Sequence, residues 1–287
     1  MINIEGSYQN RGVIEGKRDT DYVAGVLPYK VRNPSGDWTP FLPAPENQFS
    51  NHADSQACVT FSALNSIECQ TKFLTGQEVN YSDRFIAKMS GTTPQGNTLY
   101  TVADTIRKLG LVWETDYPTP PDFDWNTYYA SVPPELITKA LLWLNDWSLA
   151  YEWIEPVTAD NLIYHLKHAP LQIVIPGHAV VDIYETKDVL KYFDSYPPYT
   201  KSRIELPLWA LKLVLTKKNM TITKEQLDKL YQLGFKRPVD GGGIAAWSGK
   251  ELDVVLDGLL QSKENQEYTP ISQAVKKLEN DIRSGIF

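Results

Sequence analysis

Residues 56–74 read QACVTFSALNSIECQTKFL, and their apolar spacing predicts a helix that begins close to Cys58. Phe61, Leu64 and Ile67 recur three residues apart, which places them on one helix face. The first turn of a helix presents unpaired N–H groups and the positive end of the helix dipole, and both stabilise a thiolate. Cys58 is therefore a candidate nucleophile, although a lone cysteine is more often a small buried apolar residue.

Two polar residues further along the chain are candidates to work with Cys58. His178 opens the predicted strand HAVVDIYE directly after a Pro-Gly pair, where a histidine can be reached from a cleft. Asp194 ends the next predicted strand, and a carboxylate there could accept the imidazole N–H and fix its tautomer. The remaining histidines are expected in a polar loop or on a solvated helix, without a role in the site: His52, His165 and His168.

The predicted elements change from helices to strands along the chain. Helices are expected to begin near positions 58, 82, 99, 135 and 160. Short strands rich in Val, Ile, Leu and aromatic residues follow at 170–177, 178–185, 190–196 and 206–215. This order predicts an α+β domain in which a helical half packs on an antiparallel, barrel-like half. The cleft between the halves is the expected place for a site.

The segments at the two ends of the chain have different compositions. Residues 1–46 are rich in Pro, Gly, Asn and charge, and predict an irregular N-terminal arm that precedes a domain at 47–216. Residues 220–287 predict a small all-helical module, and Thr223 and Ser248 each begin a capping-box pattern there. Its helices are expected near 223–233, 249–261 and 270–283.

Composition narrows the possible partners and compartments. The net charge is −7, without a Lys- or Arg-rich stretch, so we expect no nucleic-acid partner. No export signal or bilayer-spanning run is visible, so we expect no membrane insertion, and the location stays open between virion-associated and cytoplasmic. Cys58 and Cys69 would lie more than about 15 Å apart on one helix, which is too far for a disulfide bond. Both are therefore expected to be free thiols.

Cys58, His178 and Asp194 resemble the catalytic set of the papain-like cysteine proteases in order and spacing. Short flanking motifs resemble that family as well. Residues 56–63 resemble the family's Cys-Trp-Ala-Phe-Ser segment, and residues 81–85 resemble its Leu-Ser-Glu-Gln motif. Residues 109–112 with 117–118 resemble a family helix that ends in Gly and is followed by Tyr-Pro. Residues 177–180 resemble the family's His-Ala-Val strand, and residues 194–196 stand where the family has Asn-Ser-Trp. The resemblance covers about 25–215. It implies a papain-like two-lobe fold and a Cys-His-Asp triad that hydrolyses a protein or peptide without a metal or cofactor.

This chain departs from the family pattern at several points. Val replaces the Trp after the cysteine, Asp replaces the third-position Asn, and the family's paired cysteines are missing. Residues 90–98 (SGTTPQGNT) stand where the family has an Asn-Gly-Gly segment that lines the substrate cleft. The family's oxyanion glutamine normally lies six residues before the cysteine, and that position is His52. Gln48 is our first choice for the oxyanion donor and Gln56 is the alternative.

The N-terminal arm raises a question of regulation. Only about 45 residues precede Gln48, fewer than the usual inhibitory propeptide of the family. Either the arm itself blocks the substrate cleft, or the enzyme is synthesised in its active form.

A second resemblance concerns the C-terminal module. Residues 230–238 (LYQLGFKRP), with Asp240, Gly243 and Trp247, resemble a short helical module of bacterial and phage surface proteins. It implies a bacteriophage or bacterial origin and a virion or cell-envelope partner bound through 220–287. Two other functions stay open: an inactive papain-like structural or attachment protein, and a hydrolase of peptidoglycan peptides.

Overall fold

The computed structural model describes residues 12–14, 16, 18, 23, 30–218, 223–235, 237–250, 255 and 259. These residues divide into two units, one within Met1–Leu144 and Ser148–Thr216 and one within Asn145–Trp147 and Lys217–Phe287. Among them, no helix has both the length and the apolar content that crossing a bilayer requires. The domain boundaries proposed from the sequence remain a prediction.

The helices of the first part of the chain begin where the sequence pattern places them, within two residues. A single turn at Trp125–Tyr128 is additional, and the Asp124 side chain caps it by accepting the Thr127 N–H at 2.7 Å. The helices are α1 (Cys58–Thr75), α2 (Asp83–Met89), α3 (Leu99–Leu109), α4 (Trp125–Tyr128), α5 (Pro134–Asp146) and α6 (Ala159–Leu166), preceded by a 3-10 turn at Thr39–Phe41.

Six strands form one open sheet. They are β1 (Trp147–Trp153), β2 (Leu171–Ile175), β3 (His178–Glu185), β4 (Leu190–Phe193), β5 (Thr200–Arg203) and β6 (Trp209–Lys217). Their order is β1-β6-β2-β3-β4-β5, and β2–β3, β2–β6, β3–β4 and β4–β5 pair antiparallel. The predicted α+β class with an antiparallel half is confirmed, and the expected barrel-like half is an open sheet with β1 and β5 at its edges.

One apolar core cluster lies between the sheet and α6. Trp38 is fully buried in it and donates its indole N–H to the Leu166 carbonyl at 2.7 Å. The solvated helix expected around His165 and His168 is a wrong prediction, because both side chains are buried. The reason is that α6 packs on β2 and β3, and His165 Nδ1 lies 3.1 Å from the buried Lys212 ammonium.

Helix α1 is the central element, since every residue from Cys58 to Thr71 is buried. Two of its polar side chains, Ser62 and Gln70, hydrogen-bond to the sheet. The Gln70 amide donates to Leu213 O at 3.0 Å and accepts the Leu215 N–H at 2.9 Å, which ties the helix to β6. Buried polar groups that are fully hydrogen-bonded fix the position of an element. Helix α1 is therefore held rigidly against the strands.

Several acidic side chains lie close together near the start of α2. Glu68 accepts the Tyr81 N–H at 2.7 Å, and Glu114 accepts the Thr119 N–H at 2.5 Å. Burial raises the pKa of Glu68 and of Asp83 well above the ordinary range, and neighbouring carboxylates add to the shift. Burial also raises the pKa of Glu114, from an ordinary 4.5 to about 7. The folded protein therefore holds protons here that the unfolded chain releases.

The stability of the fold should consequently depend on the charge of Glu114. Because its folded-state pKa is raised, its favourable contribution is complete below pH 4.5 and is lost as the pH rises through about 7. Between pH 5 and pH 8, the wild type should lose about 1–3 kcal/mol more unfolding free energy than Glu114→Gln. Urea unfolding at both pH values measures this, with the exposed Glu135→Gln as the matched control. Equal losses in the wild type and in Glu114→Gln would contradict the assignment.

The second unit contains α7 (Lys224–Phe235) and α8 (Gly241–Trp247). The predicted capping box at Thr223 is confirmed, since Thr223 N donates to Gln226 Oε1 at 2.9 Å and Gln226 N donates to Thr223 Oγ1 at 3.2 Å. Helix α8 was not predicted, because three successive glycines disfavour a helix. Ser248, predicted to begin a capping box, is the C-cap residue of α8, and its predicted partner Glu251 lies outside the described residues. The helices expected at 249–261 and 270–283 also lie outside them, apart from Gly249, Lys250 and the helical Val255 and Leu259.

Candidate active site

The start of α1 meets the start of β3. Cys58 is the first residue of α1 and is fully buried, and its Sγ accepts the backbone N–H of Ala179 at 3.4 Å. On the neighbouring strand β2, the Gln172 amide donates to the Val59 carbonyl at 2.7 Å. These contacts fix the helix start against the sheet. They place Cys58 beside the residue that follows His178, so the structure brings these two predicted residues into one region.

His178 and Asp194 are joined across adjacent strands. His178 opens β3, Asp194 directly follows β4, and His178 Nε2 lies 2.7 Å from Asp194 Oδ1. A carboxylate only accepts, which assigns the imidazole proton to Nε2. The other ring nitrogen, Nδ1, is buried and has no hydrogen-bond partner among the described residues. It is therefore not bonded to Cys58 in this arrangement, and it is the nitrogen that can accept a proton.

The surroundings of Asp194 hold it as an anion. Its Oδ2 lies 2.7 Å from the Lys201 ammonium, and its Oδ1 also accepts the Tyr196 N–H at 3.2 Å. Burial alone would raise the pKa of Asp194, but the hydrogen bonds and charges of His178 and Lys201 outweigh burial and lower it. The Tyr196 ring packs edge-on against the His178 ring at 5.3 Å and separates this pair from water.

The two glutamines considered as oxyanion donors both contact Asp54. Gln48 is fully buried; its Nε2 donates to Asp54 Oδ1 at 2.9 Å, and its Oε1 accepts the Ser195 hydroxyl at 2.7 Å. The Gln56 backbone N–H donates to the same Asp54 oxygen at 2.8 Å. Gln48 therefore lies beside the end of β4, next to Asp194, and one of its two N–H bonds is directed at Asp54.

Asp54 and Lys201 belong to this site and were missed from the sequence. The Asp54 carboxylate accepts from Gln48, from Gln56 and from the Tyr196 hydroxyl, so it connects the loop before α1 to the residues after β4. The one sequence feature that could have pointed to Asp54 is its position four residues before Cys58. Lys201 lies in a short polar strand without apolar alternation, which gives no signal at all.

The thiolate expected at Cys58 from its place at the helix start is not what this arrangement favours. Complete burial raises the pKa of the Cys58 thiol, and the charges of Asp54 and Asp194 raise it further. The backbone N–H groups of Ala179 and Val59 lower it by less. The prediction is corrected because desolvation of a charge at a closed site outweighs the helix terminus. In this arrangement, burial favours the neutral thiol of Cys58 over the thiolate.

Part of the N-terminal arm lies against the loop before Cys58. Asn97 N donates to Gly12 O at 2.9 Å and Ile14 N donates to Asn97 O at 2.7 Å, so residues 12–14 pair with the 90–98 segment. Gly12 has φ +108°, and a Cβ there would lie 1.9 Å from Gln56 O. Only glycine fits such close backbone contact at positive φ. The arm is therefore packed tightly on the segment that leads into α1.

Comparison with solved structures identifies the fold. The digestive procathepsin L2 proteinase from Tenebrio molitor larval midgut superimposes with a TM-score of 0.50 at 12% identity, covering 72% of this chain and 78% of that chain. This chain has a papain-like fold. No family model and no curated protein matches the sequence.

Two further solved structures are similar to a lesser degree. The proform of the ragweed pollen cysteine protease Amb a 11 has a TM-score of 0.49 at 13% identity, over 67% of this chain and 68% of that chain. The Carica candamarcensis cysteine protease CMS1MS2, solved in complex with E-64, has a TM-score of 0.48 at 14% identity, over 62% of this chain and 96% of that chain. At such identities the likeness concerns the fold and not the activity.

Proposed function

We propose that this protein is a cysteine peptidase that hydrolyses peptide bonds with Cys58, His178 and Asp194. The observation that carries the proposal is the 2.7 Å contact between His178 Nε2 and Asp194 Oδ1, which leaves the buried Nδ1 without a partner among the described residues, while the next residue, Ala179, contacts Cys58 Sγ. A nucleophile, a base and a group that orients the base are the parts that nucleophilic hydrolysis needs. The papain-like fold supports the same reaction.

The reaction begins with transfer of the Cys58 proton to His178 Nδ1. The thiolate then attacks the peptide carbonyl and forms a tetrahedral oxyanion, which the Cys58 backbone N–H and an amide of Gln48 or Gln56 stabilise. His178 returns the proton to the leaving amine as the C–N bond breaks, which leaves a thioester. Water, deprotonated by His178, attacks the thioester carbonyl and releases the carboxylic acid and the free thiol.

In the proposed enzyme, the N-terminal arm would hold the site closed. Residues 12–14 pack on the loop before Cys58 and pair with the 90–98 segment. We assign to the arm the exclusion of water and substrate from the thiol. Entry of water would remove the desolvation that now keeps the thiol protonated, so displacement of the arm and activation of the nucleophile would occur together.

An inactive papain-like structural protein is the second candidate, and the burial of Cys58 favours it. The resemblance of residues 230–238 to a module of bacterial and phage surface proteins fits either function. It supports a bacteriophage or bacterial origin and attachment to a virion or cell envelope through 220–287. Hydrolysis of peptidoglycan peptides is the same chemistry on a different substrate.

A hydrolysis assay distinguishes these functions. The full chain is incubated with an unfolded protein and, separately, with a muropeptide mixture. Gly12→Val is assayed in parallel, because the valine side chain cannot fit against Gln56 and should displace the arm. A wild-type protein that is inactive only because its cleft is closed is then not mistaken for an inactive protein. Cleavage of the unfolded protein is expected. Cleavage of muropeptides alone would show a peptidoglycan hydrolase, and no cleavage by either folded protein would show the inactive structural form.

A further inference from the structure

Asp194 is a buried carboxylate with two different partners on its two oxygens. Oδ1 takes the hydrogen bond from His178 Nε2, while Oδ2 lies 2.7 Å from Lys201 Nζ. The Asp194 side chain is 2% exposed and that of Lys201 is 22% exposed, so the ion pair is largely removed from solvent. The antiparallel pairing of β4 with β5 positions the lysine, since Tyr192 faces Lys201 in the register and Asp194 N donates to Tyr199 O at 2.8 Å.

An unbalanced carboxylate beside the imidazole would disturb the proposed proton transfers. A buried negative charge in contact with a histidine stabilises its protonated form, and the effect grows as the dielectric falls. An imidazolium that holds its proton too tightly is a poor acid towards a leaving amine. An opposite charge on the far side of the carboxylate cancels most of this effect and also fixes its orientation.

We propose that Lys201 is a positioning residue of the peptidase site that acts through Asp194, so that the pair presents to His178 a hydrogen-bond acceptor without net charge. This inference rests on the proposed function and adds a residue to it. It also gives a physical reason why an aspartate stands where the family resemblance has the neutral asparagine. Further titratable groups of this region are Tyr196, whose ring contacts the His178 ring, Cys58, whose Sγ accepts the Ala179 N–H, and Asp54, which accepts the Tyr196 hydroxyl.

A charge-balance cycle tests the proposal. Lys201→Gln keeps a donor of similar length but removes the positive charge, Asp194→Asn removes the negative charge, and the double variant is neutral again with an amide–amide hydrogen bond. Each single variant should lower kcat/KM at neutral pH by about 10-fold or more, whereas the double variant should return to within about threefold of the wild type. Lys191→Gln, an exposed lysine on adjacent β4, is the matched control and should have no effect.

A second measurement does not depend on turnover. The pH at which the His178 ring gains its proton, followed by NMR of its ring C–H signals, should rise by about one unit in Lys201→Gln, fall by a similar amount in Asp194→Asn and return in the double variant. Additive losses in kcat/KM, or no movement of the titration, would overturn the role of Lys201. If the pH of His178 protonation shifts in the single variants and returns to the wild-type value in the double variant, but neither the wild type nor any variant cleaves a peptide, the proposed function fails while the Lys201–Asp194 pairing stands.

Discussion

Cys58→Ala is expected to abolish peptide hydrolysis, with a loss of about 10⁴-fold or more, while the protein stays folded. The sulfur is the nucleophile in the proposed reaction, and no remaining side chain of the site can form the acyl intermediate. Alanine fits the same buried position at the start of α1, so the packing around it changes little. The measurement is turnover of an unfolded protein by the variant in the Gly12→Val background, where the cleft is open.

The second cysteine of the chain provides the control for this variant. Cys69 lies on the same helix, is equally buried and is also a free thiol. Burial raises its pKa as it does for Cys58, but no histidine contact is found for it among the described residues. Cys69→Ala should therefore keep the turnover rate to within a few-fold. Residual turnover in Cys58→Ala, or its loss in Cys69→Ala with the fold intact, would refute the assignment of the nucleophile.

Gly12→Val is expected to raise the rate of Cys58 alkylation by iodoacetamide by about 100-fold. A valine Cβ would meet the Gln56 carbonyl at 1.9 Å, and φ +108° is strained for a β-branched residue. Residues 12–14 must then leave the loop before Cys58. Solvent entry lowers the thiol pKa towards its ordinary value, and each unit increases the thiolate fraction tenfold. Alkylation of the intact protein, followed by mass spectrometry, gives the rate.

Gly16 offers a matched control in the same arm. It also has a positive φ, of +149°, but a Cβ there would meet nothing within 4 Å. Gly16→Val therefore shares the backbone strain of a positive φ but lacks the collision with Gln56, and the alkylation rate should stay close to that of the wild type. Equal rates in Gly12→Val and Gly16→Val, with both proteins folded, would mean that residues 12–14 do not control access to the sulfur.

The parts of the fold and site that follow from local patterns could be predicted from the sequence. Apolar periodicity gave the start of α1 at Cys58, and β-branched residues after a Pro-Gly turn gave β3 with His178 at its first position. The place of Asp194 at the end of the next predicted strand made it a candidate partner of the imidazole, and the structure places its Oδ1 2.7 Å from His178 Nε2. Each of these signals is contained in a stretch of about ten residues or in a known spacing.

The parts that depend on tertiary contacts could not be predicted. Lys201 reaches Asp194 because β4 and β5 form a hairpin, and the polar sequence of β5 has no strand pattern. Strand β1 directly follows α5, and no strand was predicted there. The protonated state of Cys58 depends on complete burial, which no local sequence motif reports. The helix terminus does favour a thiolate at Cys58, but its effect is smaller than that of desolvation.

The assignment of Cys58 and His178 is tested most directly by mapping where a thiol-directed epoxide reacts. Gly12→Val is treated with the reagent, with and without the added change His178→Ala, and the modified peptide is identified by mass spectrometry. We expect one label per chain, on Cys58, and a much slower reaction without His178. Modification of Cys69, an unmodified folded protein, or labelling of Cys58 at the same rate without His178 would refute the assignment.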